Sequence, residues 1–327
     1  MDDHSLRDYD YELPKELIAQ QPALHRSAAR MMVLDRQKQT IEHLSFQDFP
    51  SFCKAGNLVV LNDSKVVPAR FFSNDGSIEI LRLKAFDTLN WDCLVRPGRK
   101  MRVGKTIHIG QANGEVLAIS DDGHRHIRFD QPVDTQVHGH LALPPYIRRS
   151  DEKADSERYQ TVYAKHEGAI AAPTAGLHFT SETLSHLNHA FVTLHVGAGT
   201  FLPVRTEQLE QHRMHSETFS MSSETAEKIN RANRVLAVGT TTTRVLESCA
   251  SATGEVFPKT GETDLFIHPP FQFRCVDALL SNFHLPKTTL LILMAAFTGR
   301  DFILAAYKEA VQRRYRFYSY GDCMLVL

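Results

Sequence analysis

Two junctions between an apolar strand and a helix start hold the side chains with the most chemical capacity. In the first, the run 235–238 leads into Gly239-Thr240-Thr241-Thr242-Thr243-Arg244 and then the helical pattern VLESCA. Hydroxyls and unpaired amides at a helix start can cradle an anion such as a carboxylate or phosphate. Arg244 adds a fork-shaped partner for the same charge. Simple helix capping explains a threonine run equally well. In the second junction, residues 169–172 lead to Pro173-Thr174-Ala175-Gly176-Leu177-His178-Phe179, and Thr180 or Ser181 is placed to cap the next helix. A strand end rich in Ala and Gly lets a ligand approach backbone. His178 beside it can donate a hydrogen bond or a proton near neutral pH. A lone His is more often structural, but His195 and His284 fall on further strand or loop ends, so several imidazoles are expected to converge.

Other motifs carry less. In residues 212–217, His212 and His215 would share one face of a helix with Glu217 nearby, which fits either a zinc site or a hydrogen-bonded His and Glu pair in a polar cleft. Gly197-Ala198-Gly199 follows a strand as a dinucleotide fingerprint would, but Leu202 replaces the third glycine and Pro203 is unlike a helix opening. That excludes a standard Rossmann site and leaves room for a close backbone approach. GRKMRVGKT (98–106) has five residues between its glycines where a phosphate loop needs four, and reads as a basic turn and strand. The pairs His124 with His126 and His138 with His140 read as structural. Three basic stretches stand out: Arg313 to Tyr320 with interleaved aromatics, Arg96 to Lys105, and Arg148 with Arg149. Such surfaces can hold phosphates and stack bases, or be merely solvated.

The elements that must position these residues change texture along the chain. Short β-type runs at 58–61, 78–83, 91–95, 106–109, 115–119 and 126–129 are separated by turn signals, which predicts an antiparallel meander or small barrel. After Pro144 strand candidates 190–196, 235–238 and 290–294 alternate with helix candidates 181–188, 223–233, 243–252 and 300–314, the pattern of a layered α/β domain. The N-terminal segment lacks a core of its own and is expected to pack onto that domain. The economical arrangement is an α/β domain made of 1–57 and 145–327, interrupted by an inserted β-barrel-like domain at 58–144.

Bulk properties fit two soluble domains. The 327 residues exceed one core of ordinary size, and 43% hydrophobic with 23% charged content is ordinary for globular proteins. A net charge of −1 lacks the positive excess of a non-specific duplex binder, so any nucleic acid would be held by local patches and shape. Cys53, Cys93, Cys249, Cys275 and Cys323 are odd in number and scattered, which argues against a disulfide framework or a cysteine-rich zinc site. The acidic N-terminus has no apolar signal-peptide core, and the longest apolar run, 290–297, is too short to span a bilayer. A cytoplasmic location is expected.

The motifs LNDSKVVPAR (61–70), LPPYIRR (143–149), RYQTVYA (158–164), AAPTAGLHF (171–179), VTLHVGAGTFLPV (192–204), MHSE (214–217), VGTTTTRVLES (238–248), NFHLP (282–286) and YRFYSYGD (315–322) occur in this order. Together they resemble the S-adenosylmethionine:tRNA ribosyltransferase-isomerase family of queuosine biosynthesis, over nearly the whole chain. The resemblance implies an α/β domain interrupted by a β-barrel-like one. It also implies transfer and isomerisation of the ribosyl part of S-adenosylmethionine onto 7-aminomethyl-7-deazaguanine at the tRNA wobble position, giving epoxyqueuosine, adenine and methionine. S-adenosylmethionine is then a co-substrate and tRNA the partner, with no prosthetic group, metal or membrane, and a monomer is expected. Under this resemblance the acid and base work is assigned to His178, His195, His215, Glu217 and His284. Thr174, Gly176, Gly197, Gly199, Thr240, Thr241 and Arg244 are assigned to ligand binding. The chain departs from the family pattern in a short 71–78 hairpin, in clipped links before Phe191 and Val235, and in Thr242 and Thr243 where the pattern has Ser and Val. An ordinary methyltransferase and a non-catalytic RNA-binding module are the competing readings.

Overall fold

Leu58 and Val60 of the strand Asn57–Asn62 face one apolar core, and Val59 and Leu61 face another. The same alternation holds in Arg30–Asp35, where Met32 and Leu34 oppose Met31 and Val33, and in Arg234–Val238, where Val235 and Ala237 oppose Leu236 and Val238. Strands covered on both faces read as continuous apolar runs, as these do. The structure, a computed structural model, describes residues 4–197, 199, 204 and 206–327. The Leu202 and Pro203 positions weighed against a dinucleotide fingerprint lie outside the described residues.

The chain divides into two compact units: residues 1–65, 145–149 and 157–327, and residues 66–144 with 150–156. The first unit is a layered α/β structure built on a nine-stranded sheet. At its centre His189–Leu194, Asn57–Asn62, Arg234–Val238 and Ala278–Asn282 lie side by side and parallel. Antiparallel Glu217–Met221 and Lys259–Thr263 extend one edge. Cys323–Val326, Arg30–Asp35 and Thr40–Ser45 extend the other, so the N-terminal segment contributes two strands to this sheet. One face is covered by the helices Ser223–Asn230, Thr240–Cys249, Thr289–Thr298 and Arg300–Gln312. The other is covered by shorter pieces carrying Phe46, Phe49 and Phe179.

The second unit is an antiparallel six-stranded, barrel-like sheet, with strands Arg70–Phe72, Glu79–Ala85, Asn90–Arg96, Arg125–Phe129, Ala112–Ile119 and Thr106–Ile109 in that spatial order. Asn74 bridges its open seam. Its N–H donates to His108 O at 2.9 Å, and its side chain exchanges bonds of 2.7 and 2.8 Å with Gly110. Trp91, packed on Phe71 and Phe129, anchors the interior. The segment 98–106 is a 3-10 turn at Gly98–Lys100 followed by a strand, in accord with the basic-turn reading.

Two expectations are corrected. Residues 58–61 are not part of the β-module, because their strand is a central member of the nine-stranded sheet, and the first unit continues to Lys65. Residues 290–294 are not a strand but lie in the helix Thr289–Thr298. That helix is apolar all round because neighbours bury it on most sides, and a short apolar run alone cannot reveal which period it follows. Thr288 caps its start, and Gly299, at φ +93°, ends it. Among the described residues no single helix is long and apolar enough to cross a membrane.

Candidate active site

The four parallel strands end along one edge of the sheet, where open α/β folds place their ligands. Asn62 ties two of these ends together: its Nδ2 donates to Leu194 O at 2.9 Å and its Oδ1 accepts from Leu194 N at 3.0 Å. The next residues, Asp63 and His195, are thereby fixed. Arg234–Val238 ends at Gly239, whose φ of +91° and ψ of +153° suit glycine alone, and whose N–H donates to Leu280 O at 2.8 Å. This turn sets the start of Thr240–Cys249. Thr242 and Thr243 donate their hydroxyls back to Val238 O and Gly239 O, so only Thr240 and Thr241 line the cleft. Gly239 makes no side-chain cap, so the first-turn amides at this cleft wall have no capping side chain. Replacing Gly239 by Ala meets no atom closer than 3.6 Å, so its penalty is conformational. A loss of about 1–3 kcal/mol in unfolding free energy is expected from urea titration. Unchanged stability would mean that this backbone is not held as described.

A cleft of about 600 Å³ opens at this edge. Ala171, Ala172, Pro173 and Thr174 line one part of it, Gly239 to Thr241 another, and Ser281 to His284 a third. Tyr146, Tyr159, Phe283 and Tyr318 supply aromatic surface. A second cavity of about 390 Å³ shares Thr240, Thr241 and Leu290 with it and is otherwise mostly apolar, with Met214, Leu265 and Phe266 in its lining.

The imidazoles occupy different places. His284 lines the cleft and pairs through Nε2 with Ser281 Oγ at 2.8 Å. Its N–H donates to the Tyr307 hydroxyl at 3.0 Å, and its carbonyl accepts from the Tyr11 hydroxyl. Burial lowers its pKa to about 3, so it is neutral at pH 7. His178 stands behind the cleft, against Phe46, with Nε2 3.1 Å from Asn282 Oδ1. Asn282 Nδ2 donates to Tyr318 O at 2.8 Å and Ser319 O at 3.3 Å, so its Oδ1 accepts and the His178 proton sits on Nε2. Burial, partly offset by that bond, lowers His178 to about 4. His178 is thus a neutral donor near neutral pH rather than an acid, and it acts on the cleft through Asn282. His195 is half-buried, its Nδ1 has no hydrogen-bond partner, and its pKa is lowered by burial and then by the charge of His166. Beside it Asp63 accepts from Thr193 Oγ1 at 2.6 Å and lies 3.5 Å from His166 Nε2.

Because both rings are neutral when folded, acid favours the unfolded chain, which binds protons at each near pH 6.5. Stability is therefore expected to fall between pH 6.5 and about 3, with His178 alone contributing a loss on the order of 3 kcal/mol by pH 4 at ~1.4 kcal/mol per pKa unit. Urea titrations across that range would test this. A flat profile in which His178→Phe behaves like the parent would contradict it.

Glu217 and Arg244 meet as a buried ion pair, each about 5% exposed. Glu217 also accepts from Gly197 N at 2.8 Å, and Arg244 donates to Leu265 O at 3.0 Å and Thr263 O at 3.2 Å. The pair ties the backbone of Gly197 to the helix Thr240–Cys249. His215 is exposed and packs beside Gly199, where a Cβ would stand 2.6 Å from its ring. Residues 212–216 are not helical as the shared-face reading requires: the 3-10 turn Leu209–Gln211 precedes them and the strand Glu217–Met221 follows. His212 packs edge-on against Phe266. Among the described residues no three His, Cys, Asp or Glu side chains gather to hold a metal. Gly176 is buried under Tyr163 and Thr161, where a side chain would clash.

Of the residues singled out by sequence, His284, Thr174, Thr240 and Thr241 line the cleft. Arg244 lines the second cavity, while His178, Glu217 and Gly197 act at one remove. Sequence reasoning missed Tyr146, Tyr159, Ser281, Asn282, Tyr318 and Ser319 as cleft residues. The NFHLP and YRFYSYGD motifs contain three of them, and LPPYIRR and RYQTVYA two more; these motifs were the available signal.

Comparison with known proteins bears on what the cleft does. The family model described as queuosine biosynthesis protein matches residues 6–326. The chain is 49% identical to the S-adenosylmethionine:tRNA ribosyltransferase-isomerase of Thermotoga petrophila, across 98% of this chain and 99% of that one. It is 46% identical to the Natranaerobius thermophilus protein of the same name, with the same coverage. The crystal structure of an S-adenosylmethionine tRNA ribosyltransferase from Thermotoga maritima aligns with 98% of this chain and 100% of its own, at a TM-score of 0.56 and 40% identity.

Proposed function

The chain belongs to the queuosine biosynthesis protein family, and on that premise we propose that it transfers and isomerises the ribosyl moiety of S-adenosylmethionine onto 7-aminomethyl-7-deazaguanine at the wobble position of tRNA. It is a tRNA ribosyltransferase-isomerase of queuosine biosynthesis. The finer reading makes epoxyqueuosine in tRNA the product and releases adenine and methionine. S-adenosylmethionine is consumed as a co-substrate, with neither a prosthetic group nor a metal in the proposed reaction, by a cytoplasmic monomer.

The observation that carries the reading is the cleft at the ends of the parallel strands, which combines aromatic walls, first-turn amides and a neutral imidazole. Aromatic rings suit adenine, the Thr240 and Thr241 amides suit the methionine carboxylate, and the apolar second cavity suits the methylene chain of the methionyl part. The sulfonium acidifies the adjacent 5′ carbon of ribose, so a base can remove its proton. Adenine leaves more readily when protonated, and the aminomethyl nitrogen must be deprotonated before it attacks. His284, neutral and facing the cleft, is assigned to proton transfer there. His195, next to the cleft-lining Val196 and with a buried Nδ1 that lacks a hydrogen-bond partner, is assigned as the second base. His178, Glu217 and Arg244 hold Asn282, Gly197 and the helix start in place, and His215 supports Gly199.

Incubation with S-adenosylmethionine and tRNA carrying the precursor base, followed by digestion and mass analysis of the wobble nucleoside, tests this reading. Conversion to epoxyqueuosine is expected. Addition of a methyl group instead would overturn it in favour of a methyltransferase.

A further inference from the structure

Arginines from separate parts of the first unit close around one loop, residues 20–24. Arg149 Nε donates to Gln20 O at 3.1 Å. Arg158 donates to Ala23 O at 2.6 Å and Leu24 O at 3.2 Å, and Arg316 donates to Gln21 O. Arg26, just past the loop, donates to Leu177 O at 3.2 Å and Glu157 O at 2.8 Å. Arg148 is exposed, with its backbone N–H held by Gln20 Oε1 at 2.8 Å. Neutral carbonyls fix the Arg26, Arg158 and Arg316 guanidinium groups without cancelling their charge. Among the described residues, no carboxylate forms an ion pair with Arg26, Arg148, Arg158 or Arg316; the arginine pairs lie elsewhere. Burial and then the charge of Arg158 lower the Arg26 pKa, and Glu157 offsets this only in part. Asp322 is a mostly buried carboxylate whose charge reaches Arg316, and it is held by the backbone N–H groups of Arg30 and Arg316.

This surface borders the cleft. Gln20 Nε2 donates at 2.9 Å to the carbonyl of Tyr146, whose ring lines the cleft and whose hydroxyl meets Ser319 Oγ at 2.5 Å. A cavity of about 300 Å³ lined by Arg26, Arg158 and His178 shares Ser319 with it. Leu24 stands 84% exposed on the loop, an apolar surface among the cations. Forked cations spread along a rim match a polymer of phosphates rather than a single small anion, which would need an enclosed site.

We propose that the loop 20–24 with Arg26, Arg148, Arg158 and Arg316 is the RNA-docking rim of the cleft, holding phosphates that flank the nucleotide being modified. The proposal rests on the reading of the substrate as tRNA. Two of the three basic stretches visible in the sequence, around Arg148 and Arg316, join in this one surface, which explains how a chain of net charge −1 can hold RNA.

The test compares the full-length protein with Arg148→Gln/Arg316→Gln and Arg148→Lys/Arg316→Lys, using an anticodon stem-loop RNA carrying the precursor base and following adenine release. The Gln pair is expected to raise KM for RNA by about 10-fold or more. It should also flatten the dependence of log affinity on log salt by roughly 0.7 for each phosphate no longer neutralised. KM for S-adenosylmethionine should stay within about twofold, and the Lys pair should recover most of the affinity because charge is retained. Arg148→Gln alone, on an exposed side chain, should show about half the slope change and so covers the case of a misfolded pair. An RNA KM and salt slope equal to wild type in the folded Gln variants would overturn the rim. A wild-type protein that releases no adenine with this RNA would instead overturn the substrate reading beneath it.

Discussion

His284→Ala is expected to lower kcat by about 10²–10⁴-fold, the usual range for loss of a positioned acid or base, while KM for S-adenosylmethionine changes only a few-fold. The side chain lines the cleft, its Nε2 is fixed by Ser281, and both backbone groups are held by Tyr307 and Tyr11. Burial lowers its pKa to about 3, so the unprotonated ring dominates throughout the working range. The kcat profile of the parent should therefore show no acid limb near pH 6.5 attributable to this residue. Single-turnover rates measured on folded His284→Ala decide the matter. A rate within about threefold of wild type would remove His284 from the chemistry.

Glu217→Ala should be the most destabilising single change, by about 3–5 kcal/mol, because it leaves the Arg244 guanidinium buried without its carboxylate. In a unit of this size that corresponds to a fall in Tm of roughly 10 °C. The Gly197 N–H loses its acceptor as well. Replacing both partners by apolar residues, as in Glu217→Leu/Arg244→Met, should restore part of the lost stability, since neither charge is then stranded. Calorimetry on the single and double variants tests this. If the double variant melts below Glu217→Ala, the pair contributes through other bonds, such as those of Arg244 to Leu265 and Thr263.

What the sequence made legible follows from how locally each feature is encoded. The barrel strands were readable because turn signals bound them and alternation exposes one face, as in Asn90–Arg96. The strand Asn57–Asn62 lacks that alternation because it is covered on both faces, so its neighbours in sequence drew it into the wrong unit. The helix Thr289–Thr298 hid for a related reason: an element apolar all round shows no period. At the site, Thr240, Thr241, Thr174 and His284 were visible as polar residues at junctions. Their partners were not, because Tyr146 and Ser319 lie far apart in the chain and meet only when the sheet forms. The same limit applies to Glu217 and Arg244. Each residue type suggested chemistry alone, but the buried pairing that makes them an anchor depends on the strand Glu217–Met221 lying against the helix Thr240–Cys249.

Whether the cleft cleaves S-adenosylmethionine to move its ribosyl group is read from chromatography of the small molecules released in the presence of precursor-bearing tRNA. Adenine and methionine are expected in equal amounts, dependent on that tRNA, with no S-adenosylhomocysteine. Formation of S-adenosylhomocysteine without free adenine would contradict it.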